Sequence, residues 1–154
     1  MRIPRGLWTI VKEVARHLLR RPVVGIAAAA RTPDGRWLLI RRTDTGEWAL
    51  PGGTLEWGER LRDAILRELD EEAGVDAAEL GEVSGVYSEP GRDQRFHAVT
   101  IVVHARVAEP TRPPLNPMEI AEVRLFETAE LPATLAHGMT RMLEDAVAGK
   151  PSWE

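Results

Sequence analysis

The chain has 154 residues, 44% of them hydrophobic, with 20 basic and 24 acidic side chains and a net charge of −4. That is apolar material for one full core and leaves no need for a second domain. Lacking cysteine, the sequence excludes a disulfide framework and a thiolate metal site. Charges interrupt its N-terminal segment and no apolar run approaches membrane-spanning length, so a soluble cytoplasmic protein without a leader is expected.

In chain order, the first segment is basic. Arg2, Arg5, Lys12, Arg16, Arg20 and Arg21 against Glu13 give residues 1–22 a charge of +5 and leave −9 on the remainder. Leu7, Ile10, Val11, Val14 and Leu18 recur at helical spacing, which predicts a basic amphipathic helix over 1–21. Its expected use is packing on its own domain or on a second copy in a homodimer. Attachment to a membrane surface or to nucleic acid is the alternative, disfavoured by a short stripe and an acidic body.

After Pro22 the pattern turns to strands: 23–30, a turn at Pro33, Asp34 and Gly35, then 37–42, together a hairpin. Residues 47–51 form a short extended piece leading to Gly52 and Gly53, where a glycine pair permits close backbone approach. Further strands are predicted at 81–88, 98–108 and 120–126. Four prolines make 109–117 a loop, and 135–148 is a helix with Leu135, Met139, Met142, Leu143 and Ala146 on its core side. His97 and His104 are seven apart and fall on opposite faces, which argues against a metal pair.

Residues 59–73 form the central predicted helix, with Gly53 and Gly58 allowing a tight entry loop and Gly74 a left-handed stop. Leu61, Ile65, Leu69 and Ala73 make its apolar stripe. With Ile65 as zero, Glu72 lies at roughly −20°, Glu68 at roughly −60° and Glu71 near −120°. A plain solvated face would put these carboxylates opposite Ile65. Two carboxylates one turn apart and half turned toward a core repel each other and lose hydration, so they should hold protons more tightly or recruit a cation.

The stretch 53–75 reads GTLEWGERLRDAILRELDEEAGV: a glycine, Glu59, then Arg67, Glu68, Leu69, Glu71, Glu72, Gly74 and Val75 at fixed spacing. It resembles the Nudix box, the motif of enzymes that hydrolyse a nucleoside diphosphate linked to a further group. The resemblance implies an α/β/α sandwich with a mixed sheet over residues 22–150, the N-terminal helix being an addition. It also implies that Glu68, Glu71 and Glu72, with the Gly53 carbonyl, hold Mg²⁺ or Mn²⁺, the hard oxygen donors favouring these ions over zinc. Arg67 then holds a carboxylate in place, and Glu59 is structural. The catalytic base is either a box glutamate (Glu68 or Glu71) or a later one. Of Glu119 and Glu122, Glu119 is favoured because the loop after Pro117 can swing over the site.

Substrate choice must come from outside the box. The run YSEPGRDQRFH, residues 87–97, with Pro90 fifteen residues beyond Val75, looks like the branch that cleaves ADP-ribose and related nucleoside diphosphate sugars. Arg92 and Arg95 are candidates to clamp the diphosphate or a terminal ribose, the alternative being a turn paired to Asp93. Arg41 and Arg42 are further phosphate candidates, of which only one can face the site. Trp48 and Trp57 flank the glycine pair and could stack on a base, although packing is the commoner use. The expected activity is Mg²⁺-dependent cleavage of ADP-ribose or a similar compound, with hydrolysis of nucleoside triphosphates, oxidised ones included, as the runner-up and a silent binding module as the other class.

Overall fold

The computed structural model describes residues 5–19 and 21–154. Its elements are α1 (Arg5–Leu19), β1 (Val23–Arg31), β2 (Trp37–Arg42), β3 (Trp48–Ala49), β4 (Gly52–Thr54), α2 (Leu61–Ala73), β5 (Ala78–Tyr87), β6 (Ala98–Val107), β7 (Ile120–Phe126), α3 (Thr140–Ala148) and β8 (Ser152–Trp153). Short 3₁₀ turns at Thr128–Glu130 and Ala136–Gly138 precede α3.

Among the described residues the strands form one mixed sheet in the order β3-β2-β1-β6-β5-β8, with β4 also on β1 and β7 on β2. β1 runs parallel to β6 from Val23–Ala98 to Arg31–Arg106 and sets the two faces. Ile26, Ala28 and Ala30 join a core with Ile65, Leu69 and Ala73 of α2, while Ala27 and Ala29 join another with Met142, Leu143 and Ala146 of α3. The alternation is the period of a strand buried on both sides, and the alanines let both helices approach closely. The expected α/β/α sandwich is therefore present.

The predicted 23–42 hairpin survives only at its turn, where β1 and β2 pair through Arg31 and Trp37. Further along, β4 takes the place beside β1, with Gly52 opposite Ala27 and Gly53 opposite Ile26. A Cβ on Gly52 would overlap the Ile26 carbonyl and lie 2.7 Å from Cα of Ala27. Only glycine admits so close an approach. β2 pairs instead with β3 and β7.

Other boundaries differ too: α2 begins at Leu61 rather than 59, and β5 at Ala78 rather than 81. The last helix begins at Thr140 rather than 135, because His137 and Gly138 take left-handed backbone angles. Residues beyond 150 form β8, parallel to β5 at Gly85–Ser152 and Val86–Trp153. Among the described residues of the α1 stripe, Ile10, Val11, Val14 and Leu18 are all exposed rather than buried on the domain. Leu7 of the predicted stripe lies outside the described side chains.

Candidate active site

α2 is stopped as expected by Gly74, at φ 65° and ψ 30°. Leu69 and Ile65 are almost fully buried, and each such side chain stabilises the packing of the helix on the sheet by about 2 kcal/mol. On the same stripe Glu68 and Glu72 are drawn inside, 9% and 7% exposed. Their carboxylates press on β4. Gly52 N donates to Glu72 Oε2 at 2.8 Å, and a Cβ on Gly53 would lie 2.9 Å from Cδ of Glu68 and overlap its Oε1.

Arg67 organises the open side of this turn. Its Nε and Nη2 donate to Glu59 at 2.8 and 3.1 Å, and its Nη1 reaches Glu68 at 2.8 Å and Glu71 at 3.4 Å. Glu59 is thus tied to the guanidinium that holds Glu68, a structural position, and its carboxyl is held below the usual range by that bond. Burial pushes the Glu68 carboxyl up against the opposing pull of Arg67. Burial pushes Glu72 up to about 8, with Glu68 and Glu119 adding repulsion and the Gly52 N–H opposing it. The proton affinity expected from helix geometry is present.

Glu119 belongs to the same cavity, of about 430 Å³, whose wall includes Gly52, Gly53, Glu68, Glu71, Glu72, Arg42, Asp93 and Arg95. It is not on a swinging loop. Thr43 N donates to the Glu119 carbonyl at 2.9 Å and Thr43 Oγ1 to that of Met118 at 2.6 Å, while Leu115 N donates to the Glu71 carbonyl at 2.8 Å. These bonds staple the proline-rich segment to β2 and α2, and the Glu119 side chain faces Arg42 Nη1 at 3.4 Å. Glu122 lies outside the cavity wall, paired with Arg41 at 2.8 Å.

The substrate candidates divide. Arg42 lines the cavity, 13% exposed and bonded to Asp44 at 2.9 Å, whereas Arg41 faces the other way, over the Trp48 ring. Arg95 lines the cavity, gripped by Asp93 at 2.7 Å. Pro90 and Arg92 are not in the wall. Arg92 instead lies over the Tyr87 ring and bonds Glu154 at 2.5 and 2.7 Å and Glu89 at 3.1 Å. Trp48 packs edge-on against Phe126, and Trp57 is fully exposed away from the cavity. Sequence reasoning missed His137, a wall residue with φ 53°. Its one signal is the His-Gly pair interrupting the helical pattern of 135–148.

Among the described residues no three carboxylate or imidazole groups already converge as a cation cage, and Glu68 and Glu71 are turned onto Arg67. The donor set nevertheless fits a divalent ion. Buried, mutually repelling carboxylate oxygens with raised proton affinity are hard ligands short of positive charge. The Gly52 bond engages one Glu72 oxygen and leaves the other free to bind.

The family model described as NUDIX domain matches residues 19–146. An ADP-ribose pyrophosphatase of Methanocaldococcus jannaschii is 43% identical over 72 residues, 45% of this chain and 42% of the relative. A putative 8-oxo-dGTP diphosphatase of Bacillus subtilis strain 168 is 43% identical over 60 residues, 39% of this chain and 40% of the relative. The chain matches less than half the length of these two relatives. A solved MutT NUDIX hydrolase from Burkholderia pseudomallei superposes with a TM-score of 0.64 at 32% identity, covering 82% of this chain and 98% of that one.

Proposed function

This chain belongs to the NUDIX hydrolase family, and from that premise we propose that it splits ADP-ribose or a related nucleoside diphosphate sugar into a nucleoside monophosphate and a sugar phosphate. The observation that carries the reading is the set of buried carboxylates on α2 facing the β4 glycines, with Glu119 and two arginines across one cavity.

Glu68, Glu71 and Glu72, with the Gly53 carbonyl, would hold Mg²⁺ or Mn²⁺. A divalent cation, when bound, neutralises charge on the diphosphate and lends Lewis acidity to the reacting phosphorus. The protein's own groups do the rest. Arg67 keeps Glu68 and Glu71 in register and Glu59 keeps Arg67 in place. Arg42, anchored by Asp44, presents positive charge to the diphosphate oxygens. Glu119, held through its own backbone, accepts the proton of the attacking water. The oxygen of that water forms the new bond to phosphorus, the bridging P–O bond breaks, and the phosphate that carried the bridge departs.

The similarity to an ADP-ribose pyrophosphatase of Methanocaldococcus jannaschii supports the nucleotide-sugar reading. The similarity to a putative 8-oxo-dGTP diphosphatase supports a triphosphate reading instead. Incubation with ADP-ribose, UDP-glucose, dGTP and 8-oxo-dGTP in the presence of Mg²⁺ ranks the two. Faster turnover of ADP-ribose or UDP-glucose is expected, and preference for the triphosphates would remove the nucleotide-sugar assignment.

A further inference from the structure

Neither tryptophan beside the glycine pair reaches the cavity with a free face, but another aromatic ring does. Phe96 lines the same wall as Glu68, Glu72 and Arg42, and among the described residues it is the one phenyl ring there. It is 37% exposed and belongs to neither hydrophobic core. Leu115, also in the wall, is exposed as well. The other apolar side chains of the wall, such as Ile26, Ile40 and Leu50, are buried in the fold.

The ring is held in place. Arg95 lies over it, 5.0 Å from the centroid, and is itself fixed by Asp93 at 2.7 and 3.0 Å. The loop behind them is anchored too: Arg92 bonds Glu154, and a Cβ on Gly138 would overlap the side chain and carbonyl of Arg92. An aromatic ring fixed at a cavity wall, open to solvent and outside any core, has apolar surface left to bury against a ligand.

The sheet sets the distance. Thr54 of β4, Gly25 of β1 and Thr100 of β6 stand side by side, all in the wall. Two strand spacings, about 10 Å, therefore separate β4 from β6, and Phe96 stands just before β6. That leaves room for a pentose between a diphosphate at the α2 carboxylates and a flat group on the ring. A sugar needs polar partners for its hydroxyls, which neither Phe96 nor Leu115 offers. A nucleobase has two apolar faces and stacks on aromatic rings whatever its hydrogen-bonding edge.

We propose that Phe96, braced by Arg95, is the platform on which the base of the substrate stacks. This rests on the nucleoside part of the proposed substrate and assigns its end of the cavity; it does not depend on what lies beyond the diphosphate. Phe96 touches no reacting atom, so its contribution falls chiefly on binding.

The test measures binding of AMP and of ribose 5-phosphate to the full chain by calorimetry, and KM for ADP-ribose in Mg²⁺, in wild type, Phe96→Ala and Phe96→Tyr. Loss of one stacked base predicts AMP binding weakened, and KM raised, roughly tenfold in Phe96→Ala, with ribose 5-phosphate changed less than about twofold. Phe96→Tyr keeps a ring and should restore AMP binding. An exposed side chain outside the cores should leave Tm near that of the wild type, and Phe96→Leu repeats the measurement if Tm falls. AMP binding unchanged in Phe96→Ala, or ribose 5-phosphate weakened as much as AMP, overturns the platform. A wild type that binds AMP through Phe96 yet turns over only nucleoside triphosphates overturns the nucleotide-sugar reading and supports the platform.

Discussion

Gly53 and Glu68 are packed so closely that a Cβ on the glycine would overlap the carboxylate it faces. Its neighbour Gly52 meets backbone, the Ile26 carbonyl, rather than the end of a side chain. The two alanine substitutions should therefore differ. Gly53→Ala displaces the Glu68 carboxylate and leaves β4 on β1: near-wild-type thermal stability with turnover down at least about 100-fold is expected. Gly52→Ala breaks the β1–β4 pairing and should lower Tm markedly. Thermal melts beside turnover separate the two cases.

Glu119 and Glu122 are three residues apart but in different environments, one in the cavity wall and one in an exposed pair with Arg41. Glu119→Gln is expected to lower kcat by roughly 10²- to 10⁴-fold, as for loss of a general base. Glu122→Gln should change it by less than about threefold, since an exposed ion pair is worth little. Equal, small effects in both would return proton transfer to a box glutamate.

Glu72 makes the metal-free protein sensitive to pH. Its folded pKa of about 8 lies above the ordinary value of 4.5. The contribution is fully present below about 4.5 and is lost as pH rises through about 8, on the order of a few kcal/mol. Glu68, also raised, acts in the same sense. His137, lowered chiefly by burial, acts oppositely near its ordinary value of 6.5 and offsets part of the trend. Carboxylates held low, such as Asp44 and Glu59, lose their contribution only in acid, outside this window. In EDTA, Tm should fall from pH 6 to pH 8.5 and fall less in Glu72→Gln. Stabilisation by added Mg²⁺ should grow over the same range, because the ion competes with the proton. A flat profile identical in wild type and variant would contradict the buried, cation-deficient state.

The exposed stripe Ile10, Val11, Val14 and Leu18 sits on a segment of charge +5 ahead of a body of charge −9. That complementarity supports a second copy of this chain as its cover, in a homodimer. Ile10→Asp with Val14→Asp should convert a dimer to a monomer by light scattering. A wild type that is monomeric at every concentration removes the proposal.

The geometry of the candidate site was legible because helix periodicity and glycine spacing are local properties: the stripe of α2 places Glu68 and Glu72 inside, and Gly52 and Gly53 mark the close approach of β4. The partition of the arginines was half legible. Strand alternation separates Arg41 from Arg42 but does not say which faces the cavity; the pairing of β2 with β7, which sets Arg41 opposite Glu122, decides it. Arg92 looked equivalent to Arg95 in a charged loop, yet Glu154, distant in sequence, claims it through β8. His137 was hidden because a left-handed histidine is imposed by the packing of Gly138 on Arg92, a tertiary contact with no sequence period. Trp48 read as a stacking candidate from its position beside the glycines, whereas its contact with Phe126 is made across the sheet.

The most direct test of a diphosphate cleaved beside cation-holding carboxylates of α2 is ADP-ribose turnover by wild type and Glu72→Gln across a Mg²⁺ titration, with products identified. The account predicts Mg²⁺-dependent release of AMP and a sugar phosphate by the wild type. The variant should lose several powers of ten in rate, a loss that saturating Mg²⁺ does not restore. Turnover independent of Mg²⁺, or near-normal in Glu72→Gln, would contradict it.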